Sequence, residues 1–422
     1  MLCKQFPILI DGNTYRGRGE VYLELLPRAY LSFYGYFQGF PVKDAACVLA
    51  NLTAISFFSI NGHQIDGVPL SHGYDDESRE FNVNWHPTSE PIYGVGDESS
   101  QMSFLVFHLF NFVDFSGARR SAQQNGLMTI KHVDLIYGQW NVELKSLPST
   151  PREINRLNSE GGYRLTHVGG VKKADRALFS GKEGQECLTA LSFFLSFAKG
   201  GWCAPICGVG FEESDNRVWE SWSSPREPWH ATLSWFDPQT GSQLTTLYPT
   251  FMKKWGNTDW REALREVIYW YLNANFTGRG IDAGIILTQA AIERLSYEYA
   301  VKDKRLLLPN GFKDLWASDK FRLLFSSLGI PLGIPKETAE MAKLAKVFNW
   351  LDAPHALTEI RNSLIHPEHK NRGRFQSVYY EAWNLGLWYL ATGLLAVCGY
   401  SGTYWNRLRQ RWLGRVEKVP WG

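Results

Sequence analysis

Arg361-Asn362-Ser363-Leu364-Ile365-His366-Pro367 closes a helix that Pro354 is placed to open, since proline suits a helix's first turn. Pro367 drives the residue before it away from helical angles, so the spacing predicts a helix that ends at His366. Leu357, Ile360 and Leu364 then share one apolar face. On a helix advancing about 100° per residue, Arg361 and His366 both fall off that stripe and point about 140° apart. A guanidinium can hold a phosphate, and an imidazole can move a proton near neutral pH. Together they suit the cutting of a phosphodiester in RNA. The plainer reading pairs Arg361 with Glu359 or Glu368 and leaves His366 as a cap. A similar Arg–His spacing occurs at Arg79 and His86, in a stretch that reads as strand and loop.

Around this stretch the chain reads as helix after helix from Thr258 onward. Asp259 and Glu262 mark a start, and Trp260, Leu264, Val267 and Tyr271 form one face. Ile281, Ile285, Thr288, Ile292, Leu295 and Tyr299 recur at alternating spacings of four and three, a seam for packing along a second helix. Phe312 to Leu328 predicts one or two helices, and Lys336 to Phe348 another. No charged residue occurs from Ala382 to Asn406. That length could span a bilayer. Asn384, Thr392 and four glycines favour a buried helix over about 375–398 instead.

Residues 1–250 read mainly as β-structure. Val21 to Leu25, Ala29 to Phe37, Ser103 to Phe115 and Lys131 to Leu144 are rich in aromatic and branched residues. Asn61-Gly62 between two apolar runs is a hairpin signal. His230–Phe236 and Ser242–Tyr248 read as a later hairpin. A single inserted helix is expected over Lys182–Lys199, ended by Gly200-Gly201. The fold class is thus α+β multidomain: a β-rich region over 1–250, a helical bundle over 258–405 and a basic tail over 406–422, with an exposed connection at Pro249–Asn257. The tail carries Arg407, Arg409, Arg411, Arg415 and Lys418.

The 422 residues carry a formal net charge of +2, which requires any nucleic-acid surface to be local. Six cysteines are too scattered for a disulfide framework, and the N-terminus lacks a signal-peptide layout, so a cytoplasmic protein is expected. Cys203-x3-Cys207 is a weak zinc candidate without a second pair. His63, Asp66, His72, Asp75 and Asp76 form a second metal candidate, although turn-forming loops are commonly Asp-rich. No serine-nucleophile, phosphate-loop or HExxH motif is present, and neither a cofactor nor a catalytic metal is expected.

Arg361-Asn362-x3-His366, late in a helical region, resembles the motif of the HEPN ribonucleases. Gln289-Ala-Ala-Ile-Glu293-Arg-Leu295 is similar to the second helix of the ApeA-like HEPN group, found in bacterial anti-phage defence. The resemblance covers about residues 258–400. It implies a metal-independent endoribonuclease that acts as a homodimer, with His366 as general acid or base, Arg361 on the phosphoryl oxygens and Asn362 as a positioning group. Glu293 is a candidate support from the neighbouring helix. His369, Lys370, Arg372 and Arg374 are candidate contacts to the RNA backbone. The N-terminal region would sense a phage-derived trigger. A non-catalytic RNA- or protein-binding module is the alternative.

Overall fold

The computed structural model describes residues 2–10, 13–41, 43, 55–60, 63–116, 119–123, 126–410 and 412–421. The architecture is α+β: a β-rich N-terminal region followed by a helical C-terminal region.

Six antiparallel strands open the chain: β1 (Leu2–Ile10), β2 (Asn13–Glu24), β3 (Tyr30–Gln38), β4 (Ile55–Ile60), β5 (His63–Asp75) and β6 (Glu80–Pro87). They close into a barrel in the order β1-β2-β3-β6-β5-β4. Alternation decides the faces. Val21, Leu31, Phe33, Phe81, Val83 and Trp85 fill the interior, while Tyr22 and Asn82 look outward. Strands β4 and β5 pair from Ile60 to His63 as a hairpin. The Asn61-Gly62 turn itself lies outside the described residues.

Two compact units interleave along the chain. One comprises Met1–Asn111, Ser149–Thr189 and Ala204–Trp229; the other comprises Phe112–Pro148, Ala190–Cys203 and His230–Gly422. The first unit adds strands Leu165–Lys173, Phe104–Phe110, Pro205–Phe211, Arg217–Trp222 and Ile92–Val95, hydrogen-bonded in that order. The second contains a tight hairpin, His132–Tyr137 with Trp140–Ser146, whose turn places Gly138 at φ 55°.

Among the described residues, at least two helices interrupt the β-rich region, not one. Helix α1 (Thr150–Glu160) has Pro151 in its first turn and buries Leu157, while α2 (Gly181–Lys199) falls where the apolar spacing put it. The expected late hairpin is also corrected. Ser242–Trp255 is a helix, α3, with Pro249 inside it. Leu244, Leu247, Tyr248, Phe251 and Trp255 share its buried face, and this packing outweighs the strand propensity of Thr245, Thr246 and Tyr248. The connection expected at Pro249–Asn257 is therefore the second half of a packed helix, with Phe251 and Trp255 buried.

Beyond it run α4 (Thr258–Asn275), α5 (Ile281–Tyr297), α6 (Pro309–Lys313), α7 (Ala317–Ser327), α8 (Ala339–Phe348), α9 (Ala353–Ile365) and α10 (Tyr379–Val397). Asn257 caps α4 by accepting the Trp260 N–H at 3.1 Å. Ile285, Thr288, Ile292 and Leu295 of the α5 seam are buried, and α10 packs on this helix. The approach is close: a Cβ on Gly284 would stand 2.6 Å from the Trp383 ring, and one on Gly386 2.8 Å from the Thr288 hydroxyl. Helix α10 is buried almost throughout; no helix among the described residues is long and apolar enough to cross a membrane. The stretch expected to be a basic tail is partly structural. Arg407 is buried and donates to the side-chain oxygens of Asn275 and Asn384, and Arg409 pairs with Glu417 at 2.9 Å. Arg411 lies outside the described residues.

Candidate functional site

Helix α9 is fixed at its start. Asp352 caps it by accepting the His355 N–H at 2.9 Å, and Arg322 of α7 grips the same carboxylate with two prongs, at 2.7 and 3.0 Å. Gln289 of α5 donates to the Leu357 carbonyl at 2.6 Å. Ala356, Leu357, Ile360 and Ser363 form the buried face. Leu364, expected on that stripe, is only half-buried; Ser363 takes the place beside Ile360.

The helix ends as Pro367 dictates. His366 has extended backbone, φ −99° and ψ 111°, while its N–H still reaches the Asn362 carbonyl at 3.0 Å. Because His366 has left the helix, the divergence calculated for a continuous helix no longer sets the direction of its ring. The residue is exposed, and among the described residues its ring makes no hydrogen bond or ion pair.

Arg361 is half-buried. Its Nη1 donates to Asn362 Oδ1 at 3.2 Å, whereas its Nε is buried with no hydrogen-bond partner. The expected pairing with Glu359 or Glu368 does not form; Glu359 faces His369 instead, Oε2 to Nε2 at 3.7 Å. Asn362 thus holds one edge of the guanidinium, while the Nε is buried and unpartnered. An unpaired buried donor of this kind carries a desolvation cost.

The loop after His366 folds on itself. The His369 N–H donates to the His366 carbonyl at 3.1 Å, and the Asn371 N–H donates to His369 Nδ1 at 3.2 Å. Gly373 turns the chain at φ 75°. Of the other three candidate RNA contacts, Lys370 is exposed and makes no ion pair among the described residues. Arg372 donates to the Pro367 carbonyl, and Arg374 donates to Asn371 Oδ1 while lying 4.8 Å from the Phe348 ring centre. All three remain exposed.

Glu293 does not join this end. It binds Lys320 of α7 at 2.6 Å, two residues from the arginine that grips the Asp352 cap. Arg79 sits in the β5–β6 turn at φ 49°, and His86 lies against Tyr30. No group of three or more metal-binding residues forms among the described residues. Burial pushes the Cys203 thiol up to about 12 and also raises that of Cys207, which disfavours the thiolate a zinc ion requires. The Glu359–His369 contact had no signal in the sequence, because ten residues and a proline turn separate the partners.

Residues 257–418 match the YopA C-terminal domain, and residues 97–232 match the YopA central domain. Across 421 residues the chain is 27% identical to the SPbeta prophage-derived uncharacterized protein YopA of Bacillus subtilis (strain 168), covering 99% of this chain and 93% of that protein. No solved structure matches the chain.

Proposed function

We propose that the helical region is a HEPN-type, metal-independent endoribonuclease whose site is Arg361, Asn362 and His366. One observation carries this reading. A half-buried arginine has an unpartnered Nε, and five residues on stands an exposed histidine that has left the helix.

In the reaction, the RNA 2′-oxygen attacks phosphorus and the 5′-oxygen leaves. One imidazole removes the 2′ proton, and a protonated imidazole supplies the proton that the 5′-oxygen takes. His366 of one copy cannot hold both protonation states at once. A two-fold pair of chains supplies two such rings, which is the reason to expect a working homodimer. Arg361 neutralises the charge that builds on the phosphoryl oxygens, and Asn362 keeps its fork aimed. Lys370, Arg372 and Arg374 follow the backbone. The substrate is cytoplasmic RNA. An RNase of this kind needs a trigger; the prophage origin of the YopA relative accords with a role in contests between phage and host.

The test is wild-type protein with mixed RNA, with and without EDTA. Cutting that persists in EDTA and leaves 2′,3′-cyclic or 3′-phosphate ends supports the reading, as does a sedimenting dimer. RNA bound but never cut under any condition would establish the binding-module alternative.

A further inference from the structure

A loop of the second unit exposes apolar side chains that nothing in the proposed RNA site uses. After α5 the chain makes a π-helical turn, Glu298–Asp303, and then enters this loop. Leu306 is 48% exposed, Leu308 79% and Trp316 80%. Leu308 and Trp316 are the residues that precede α6 and α7. Between them Phe312 is buried with Ala300 and Val301, so the short helix α6 is anchored inward while its flanks project.

The loop is braced. The Lys304 N–H reaches the Tyr299 carbonyl at 2.8 Å, the Leu306 N–H reaches Ala300 at 2.7 Å, and the Phe312 N–H reaches Leu308 at 3.0 Å. Arg305 holds φ 52°, a left-handed conformation that a non-glycine residue keeps only where its surroundings enforce it. Exposed apolar residues in a rigid, strained loop are a prepared contact surface.

Charge identifies the occupant. Lys304, Arg305 and Lys313 are exposed and make no ion pair among the described residues, and Asp314 is the sole acid between 304 and 316. Neighbouring cations are already matched: Lys302 by Asp259 and Glu298, Lys320 by Glu293. Exposed apolar side chains and cations without an ion pair thus share one short stretch, residues 304–316. A protein partner is better served by a broader face. Leucine and tryptophan tips among lysines suit the boundary between headgroups and acyl chains of an anionic leaflet.

We propose that this loop docks the protein on an anionic lipid surface, with Leu308 and Trp316 at the acyl boundary and Lys304, Arg305 and Lys313 on the headgroup phosphates. The contact is with one leaflet and requires no spanning helix. The sequence reading expects no membrane partner, and the proposal departs from that expectation; it stands independently of the RNA-cutting reading.

The experiment is flotation of the full chain with vesicles of phosphatidylcholine alone or mixed with phosphatidylglycerol. Mixed vesicles should carry roughly tenfold more protein, and salt should remove most of that gain. Leu308→Ser and Trp316→Ser should each cut the bound fraction severalfold, as should the double change Lys304→Glu with Lys313→Glu. All three variants should melt as the wild type does, because the altered side chains are exposed. The proposal falls if the wild type fails to float with phosphatidylglycerol, or if the variants float equally well. It also falls if Trp316→Ser instead converts a sedimenting dimer to a monomer without changing flotation, which would assign the loop to contact between copies.

Discussion

Glu359 Oε2 lies 3.7 Å from Nε2 of His369, tying the last turns of α9 to the loop behind His366. The Asn371 N–H donates to the other ring nitrogen, so a neutral His369 carries its proton on the side of Glu359. His369 is therefore a fastener for the loop, a different part from the backbone cation expected of it.

Breaking this fastener should loosen the loop more than it destabilises the protein. Glu359→Gln and His369→Ala should each cost about 1 kcal/mol or less, since a partly exposed pair is screened by solvent. Amide exchange over residues 366–374 should nevertheless quicken relative to α10. Unchanged exchange there would show that the contact does not hold the loop.

Arg361→Ala and His366→Ala should each lower the cleavage rate by about 10²-fold or more while the fold persists, because neither residue is on the buried face. Arg361→Lys should recover little, since an ammonium has no Nε edge. Arg79→Ala and His86→Ala should leave the rate unaltered. Single-turnover cleavage of labelled RNA measures all five, and a wild-type rate in His366→Ala would remove that residue from the chemistry.

Burial separates two neighbours on α9. Ile360→Asp should cost more than about 3 kcal/mol, because Ile360 is fully buried and an aspartate there would have no partner. Leu364→Asp should cost much less, since Leu364 is half-exposed. Denaturant midpoints at constant slope would show the difference; equal losses would contradict the observed packing.

Thiol labelling should follow burial. The Cys187, Cys203 and Cys398 thiols are each pushed up to about 12. Burial therefore disfavours the thiolate, which is the reactive form. Peptides carrying these residues should resist iodoacetamide in the native protein and react once it is unfolded. Rapid native labelling at Cys398 would mean that the end of α10 is more open than described.

Local rules made the helices readable where sequence punctuation was strong. Pro354 and Pro367 bracket α9, Gly280 precedes α5, and Gly200-Gly201 ends α2; each acts through its own backbone. The α5 seam was legible because one apolar face recurs over several turns. Helix α3 was not, because Pro249 interrupts it and its thronged Thr and Tyr residues favour strands in isolation. In α1, Leu157 is the only apolar residue of the chain's sparse buried set there, which leaves little period to detect. At the candidate site, exposure of His366 followed from Pro367. The unpartnered Nε of Arg361 depends on what buries it in the fold, and Glu293 is paired with Lys320 across 27 residues. Arg407 is beyond sequence reasoning for the same cause: one of its amide partners lies 132 residues upstream.

The interleaving of the two units sets a timetable for synthesis. The chain passes from one unit to the other after residues 111, 148, 189, 203 and 229. Segments 112–148 and 190–203 leave the ribosome well before most of the unit they belong to. At about 5–20 residues per second, the remaining stretch from His230 takes on the order of 10–40 s to emerge. During that interval Phe194 lacks Tyr248 and Phe251, and Phe197 lacks Trp235 and Tyr271, so the nascent chain presents apolar side chains whose partners have yet to be made.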